Sequence, residues 1–332
     1  MEHAGVAAGT KKEIYGRRAI RIANGFVDTA VLLLVLLLIV FGSFAVWDTK
    51  QVHDAASATK YEIYKPTDEN GGLTFQELQE INKDVFAWLT VYGTHIDYPV
   101  VQGKDNMRYV NTNAEGRYSL SGAIFLDKGS SRDFSDFSSI LYGHHMEKQA
   151  MFGEIGLFAD RGYFTERKYG MLYFSGKEHG LEFFAFVHTD AYNTAVFRTK
   201  IEGQGEQQAY LDMLLDMAIH VRELNVTTDD RIVLLSTCSA SSTNGRDILI
   251  GRITDELYDD PFWVPEEERE RTYMTINGPS GLWGWPFWAG LLLITVLLIA
   301  IVLLASYLVK ARKRGRQSDE KKEHMPARSR RQ

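Results

Sequence analysis

Hydrophobic positions divide this 332-residue chain into three patterns. Near each end lies a long apolar run, residues 26–47 and 282–309. Between them, apolar runs of strand length alternate with polar turns, and two stretches repeat apolar residues at helical spacing. The first long run has 22 residues and a single charge, Asp28. A bilayer-spanning helix needs about 20 such residues, so the run predicts one. Ser43-Phe44-Ala45 would serve as a cleavage site if this were a signal peptide. The apolar core is long for that role and favours an uncleaved anchor. The second run opens with Trp283, Trp285 and Trp288, grouped as an interfacial belt would be.

The short runs read as strands at residues 95–101, 122–127, 138–143, 171–174, 181–187, 231–238 and 246–253. Leu78, Ile81, Val85 and Leu89 predict a helix over residues 75–90. Leu211, Leu214, Leu215, Ala218 and Val221 predict an amphipathic helix over 206–224. Many short strands with few helices make a mostly-β barrel or sandwich with helical additions.

Charge gives this arrangement an orientation. Residues 1–25 hold five Lys/Arg against Glu2 and Glu13, and residues 309–332 hold ten against Asp319, Glu320 and Glu323. The middle, 48–281, holds 22 basic and 37 acidic residues. Basic flanks stay cytoplasmic, so the acidic middle lies outside, tied to the lipid bilayer at both ends. The expected order is a cytoplasmic basic tail (1–25), a span (26–47), a stalk (48–74) and an extracytoplasmic domain (75–258). A linker (259–281), a second span (282–309) and a second cytoplasmic tail (310–332) complete it. A domain this acidic lacks the basic stripe of a nucleic-acid binder, and no nucleic-acid partner is expected.

The candidate chemistry sits on one hairpin. Residues 231–238 end in Ser236-Thr237-Cys238, seven small and polar residues form a loop, and Arg246 opens the next strand. Pairing these strands puts a thiol and a guanidinium on one rim. A thiolate is a nucleophile, and a neighbouring cation can lower its pKa or neutralise an oxyanion. Cys238 is the only cysteine, so it forms no internal disulfide and is either a small core residue or a reactive thiol. Among seven outer histidines, His144-His145 stands at a strand end, where loops gather functional residues. Adjacent strand residues point to opposite faces, so one of the two at most meets Cys238. Zinc is disfavoured by the absence of His-x-x-x-His and Cys-x-x-Cys spacing. The reading therefore assigns no metal and no cofactor.

Leu235-Ser-Thr-Cys238 with Arg246, and Tyr142-Gly-His144-His145-Met, resemble the sortases, membrane-anchored cysteine transpeptidases of Gram-positive surfaces. Residues 96–102, Asp105-Asn106 before Tyr109, residues 122–127, Met151-Phe152-Gly153 and the long helix before the cysteine strand resemble class B. The likeness covers roughly residues 75–255. It implies an eight-stranded β-barrel with added helices. It implies His144 as general acid/base, Cys238 as nucleophile and Arg246 as the group steadying the substrate carbonyl and oxyanion. It also implies Asn106, Val110, Tyr142, Ser236 and Thr237 as lining a groove for a C-terminal sorting signal. Partners would then be secreted surface proteins or pilins bearing that signal, and an amine acceptor from a peptidoglycan precursor or a pilin lysine. The chain departs from class B in having Ser239 where an acidic residue often follows the cysteine. A second span is more typical of pilus-assembling members. The rival readings are a cell-wall cysteine peptidase passing the acyl group to water, and a non-catalytic membrane-tethered binding module.

Overall fold

The computed structural model describes residues 4–66, 73–238 and 244–264. The second apolar run and the basic tail after it lie outside the described residues, as does most of the linker.

The chain begins with α1 (Ala4–Ala56), a continuous helix of 53 residues. Its stretch Ala19–Thr49 is long and apolar enough to cross a membrane: an 18-residue window within it has a mean hydropathy of 2.9, and none of that window is buried against the protein. The helix runs on through residues 48–56, the first part of the expected stalk. Ala56 and Tyr61 are already in the core of the folded domain.

Next come α2 (Leu73–Ile81), β1 (Val85–Val91) and β2 (Asp97–Val101). The helix expected over 75–90 therefore stops at Ile81, and its second half is a strand. The apolar residues happen to keep helical spacing across the break. Asn82 accepts from the Asp84 N–H and turns the chain, and the branched and aromatic run from Val85 favours extended backbone. Trp88, fully buried on β1, donates its indole N–H to Asp97 at 2.7 Å, and Phe75 of α2 packs edge-on against its ring.

The remaining strands are β3 (Ile124–Leu126), β4 (Ser138–Tyr142), β5 (Tyr169–Phe174), β6 (Lys177–Asp190), β7 (Ala218–Val221), β8 (Arg231–Cys238) and β9 (Gly245–Thr254). They are ordered β5-β1-β2-β3-β4-β8-β9-β6, and β5 pairs again with β6. That closure makes an eight-stranded barrel and settles the choice between barrel and sandwich. β7 adds a ninth strand along β6 beyond β5. Two short helices complete the fold, α3 (Arg161–Glu166) and α4 (Gln204–Met217). The helix expected over 206–224 ends at Met217, and Ala218–Val221 is β7 instead. Ile219 and Val221 are β-branched and stay exposed there, so no apolar face drew them into the helix.

Alternation along β8 and β9 gives the barrel two packed faces. Val233, Leu235 and Leu249 point inward, while Ile232, Leu234, Ile248 and Ile250 point outward beneath Tyr210, Leu211 and Leu214 of α4. By the same parity, Ser236, Cys238 and Arg246 continue the outward face past the edge of the helix.

Candidate active site

β8 and β9 pair antiparallel with Cys238 directly opposite Arg246, as expected from the hairpin. Cys238 is exposed and is the free cysteine of the chain. Arg246 is half-buried, and its guanidinium donates to the Gly245 carbonyl at 3.1 Å. Behind it, on the inward face, Asp247 is buried and accepts from His188 Nδ1 at 2.8 Å. That clamp joins the first residues of β9 to β6.

His144 reaches the same rim by another route. β4 runs parallel to β8, with Tyr142 level with Ser236, and the Gly143 N–H donates to the Ser236 carbonyl at 3.2 Å. Tyr142–Ser236 is the last pair of that ladder, and His144 and Cys238 each follow two residues beyond it. The ladder has ended by then, and tight packing shapes the turn. A side chain at Gly143 would put its Cβ 2.5 Å from Ile124 and 2.7 Å from Phe152. One at Gly153 would lie 2.2 Å from the Met146 carbonyl oxygen. The segment folds back on itself: Phe152 N–H donates to the His144 carbonyl at 3.0 Å, and His145 pairs with Met151.

The His144 ring is held at one nitrogen. Nε2 lies 2.8 Å from the Val110 carbonyl oxygen. A carbonyl only accepts, so Nε2 carries the proton, and in the neutral ring Nδ1 is left as the acceptor. Val110 thus meets the catalytic candidates through its backbone. Its neighbour His145 has a buried Nδ1 with no partner among the described residues.

Asn106 and Tyr142 converge on a residue the sequence reading did not single out for the site, Asp127. Asn106 Nδ2 donates to Asp127 Oδ2 at 2.6 Å and the Tyr142 hydroxyl donates to the same oxygen at 3.3 Å. Asp127 Oδ1 accepts from the Gly129 N–H at 2.7 Å. Burial, reinforced by the Asp127 charge, pushes the Tyr142 phenol well above its ordinary range, and nearby Arg246 opposes that shift. The phenol is therefore a neutral donor. Asp127's one legible signal was its position at the end of the apolar run 122–127. Ser236 and Thr237 are both buried, and neither hydroxyl finds a partner among the described residues. Ser236 lies on the Cys238 face, while Thr237 turns into the barrel.

The arrangement offers a solvent-facing thiol, a cation directly across from it, and an imidazole two residues past the end of the neighbouring strand with a defined tautomer. Those are the parts of nucleophilic acyl transfer. Among the described residues no group of three or more His, Cys, Asp or Glu could hold a metal ion.

No protein-family model matches the chain. Among curated proteins it is 29% identical over 240 residues to sortase B of Staphylococcus aureus, covering 69% of this chain and 96% of that protein. Among solved structures it is similar to a Streptococcus pyogenes class B sortase involved in pilus biogenesis. That match has 40% identity and a TM-score of 0.51, covering 55% of this chain and 98% of the other. Sortase B of Clostridium perfringens matches with 32% identity and a TM-score of 0.53, covering 55% of this chain and all of the other.

Proposed function

The chain belongs to the class B sortases, a family of cysteine transpeptidases, and from that premise we propose that Cys238, His144 and Arg246 are its catalytic set. The observation that carries the proposal is the direct cross-strand pairing of Cys238 with Arg246 on an exposed rim.

In the first half-reaction the Cys238 proton passes to His144, and the thiolate attacks the carbonyl carbon of the scissile bond. Arg246 meets the negative charge on the carbonyl oxygen. The carbon–nitrogen bond breaks as His144 returns the proton to the leaving amine, leaving a thioester. In the second half-reaction an acceptor amine attacks the thioester and gives its proton to His144. The carbon–sulfur bond breaks, and the thiolate and imidazolium together recover the starting pair. The Val110 carbonyl keeps the His144 proton on Nε2, so Nδ1 is the atom that exchanges protons.

The substrate is a secreted protein with a C-terminal sorting signal, held along the outward face of β4 and β8 beside Tyr142 and Asn106. The acceptor is an amine of a cell-wall precursor or a pilin lysine. The similar Streptococcus pyogenes enzyme, involved in pilus biogenesis, supports the second. Both basic ends are cytoplasmic, α1 crosses the membrane, and the run at 282–309 crosses it again.

The test is product analysis with a sorting-signal peptide, with and without added amine. The purified chain is expected to give an amide only with amine present, through a thioester detectable by mass spectrometry and absent in Cys238→Ala. Hydrolysis at the same rate with and without amine would make the chain a peptidase. No thioester and no cleavage across peptide libraries would leave it a binding module.

A further inference from the structure

The membrane helix ends against the catalytic loop. The Tyr98 hydroxyl donates to the carbonyl of Ala56, the last residue of α1, at 2.8 Å. The same oxygen accepts the Met151 N–H at 3.0 Å. Met151 pairs with His145, and the next N–H, of Phe152, holds the His144 carbonyl. One buried hydroxyl therefore joins the end of α1 to the segment that presents His144. Strand directions agree: β2 opens with Asp97 and Tyr98 at the end of the barrel where β4 and β8 finish.

The distance to the lipid follows from helix geometry. The candidate membrane span ends at Thr49. Seven further helical residues to Ala56 add about 10 Å at 1.5 Å each. After Ala56 the chain stays close. Lys60 pairs with Glu115 at 2.8 Å, which fastens the root of the helix to the turn of residues 111–119, directly after Val110.

Near this root, exposed apolar side chains stand among charged ones. Ile63 is 68% exposed, Tyr118 77% and Leu120 54%. Arg117 lies beside them, its head group also exposed and paired with Glu115. Apolar side chains with a tyrosine and a cation among them suit the boundary between headgroups and acyl chains.

We propose that Ile63, Tyr118 and Leu120 form a collar that rests on the outer headgroup surface of the same bilayer α1 crosses, so that the groove opens at membrane level. The bilayer is the occupant because α1 delivers the collar to within a few residues of it. The inference rests on the reading that α1 spans the membrane. It adds an orientation: the rim bearing Cys238 faces the lipid, and the far end of β9 faces away. β9 runs ten residues from Gly245 at the rim to Thr254, about 30 Å of strand.

Cys238 is the only cysteine, so the full chain with Cys238→Ala accepts single spin labels. Labels at Ile63→Cys and Leu120→Cys are compared with one at Leu257→Cys, an exposed site just past β9. Each variant is reconstituted in phosphatidylcholine–phosphatidylglycerol vesicles and floated on a density gradient. Failure to float would defeat the membrane reading of α1 itself. In floated protein, nickel chelated to lipid headgroups is expected to relax the labels at 63 and 120 several-fold more than the label at 257. Equal relaxation at the three sites would overturn the collar. Labels at 63 and 120 that are immobilised yet unrelaxed would also overturn it, showing a protein surface there instead of lipid.

Discussion

Two parts of one rim are built in opposite ways. Cys238 and Arg246 stand on β8 and β9, where eight successive residue pairs fix their register. His144 stands past the end of β4 in a segment without a ladder, held by Val110, Phe152 and Tyr98 acting through single hydrogen bonds. A residue placed by a ladder is hard to move from a distance, because every neighbouring pair must slip with it. A residue placed by separate bonds moves when any one is lost. On the proposed mechanism, the chemistry would depend on local identity at Arg246 and on remote supports at His144.

The largest effect that would sharpen this contrast is Arg246→Lys. The ladder leaves the strand intact, so only the head group changes. Lysine keeps the cation but replaces a planar fork with a compact, strongly hydrated charge. If Arg246 acts by donating to the oxyanion, turnover of a sorting-signal peptide should fall about 10²–10³-fold, as for other lost oxyanion donors. The rate of Cys238 alkylation against pH should stay the same. Near-wild-type turnover would reduce the role of Arg246 to its charge.

The ladder region was legible in the sequence because its information is local. Branched apolar runs, a polar turn and the offset from Cys238 to Arg246 were enough to place the two residues opposite each other. Period misled where it continued by chance. Val85 and Leu89 kept the spacing of α2 although they belong to β1, and Ala218 and Val221 kept that of α4 although they belong to β7. The supports of the loop were illegible for a different reason. Tyr98 lies 46 residues before His144, and Asp127 lies 21 residues after Asn106. Nothing in a single sequence marks a tyrosine or an aspartate as the meeting point of distant segments. Tyr98 reads as one residue of a strand, in a stretch that resembles class B, with nothing to mark it as a support.

Tyr98→Phe is the intermediate test, aimed at the loop. The ring still fills its place in the core, but the Met151 N–H and the Ala56 carbonyl lose their shared partner. An unmet buried group costs about 1–3 kcal/mol, and 1.4 kcal/mol corresponds to tenfold. The expected result is a drop in kcat of about tenfold with KM little changed, since Asn106 and Tyr142, proposed to line the groove, are untouched. Cys238 alkylation should remain normal, which distinguishes displaced His144 from general unfolding. A lower melting temperature with unaltered kcat would show that the loop keeps His144 in place without this bond.

The smallest effect concerns the far brace of the same loop. Glu154, one residue past Gly153, is buried and accepts from the His95 backbone N–H at 2.6 Å and from the Tyr163 hydroxyl at 3.0 Å. It also faces His95 Nδ1 at 3.1 Å, and that hydrogen bond raises the pKa of the imidazole despite partial desolvation. A pKa higher in the folded state means that the folded protein binds the proton more tightly. The pair's contribution is then full below the ordinary histidine value of about 6.5 and is lost as pH rises through the folded value. The imidazole is 68% exposed, so solvent screens the pair and its contribution should fall below about 1 kcal/mol. His95→Gln keeps the backbone donor and removes only the charge. The melting-temperature difference between wild type and His95→Gln should be small near pH 5.5 and vanish by about pH 8.5. Turnover per folded molecule should not change, because Glu154 retains two other donors. A difference that stays constant or grows with pH would show that the imidazole acts by packing, with its charge irrelevant to the loop.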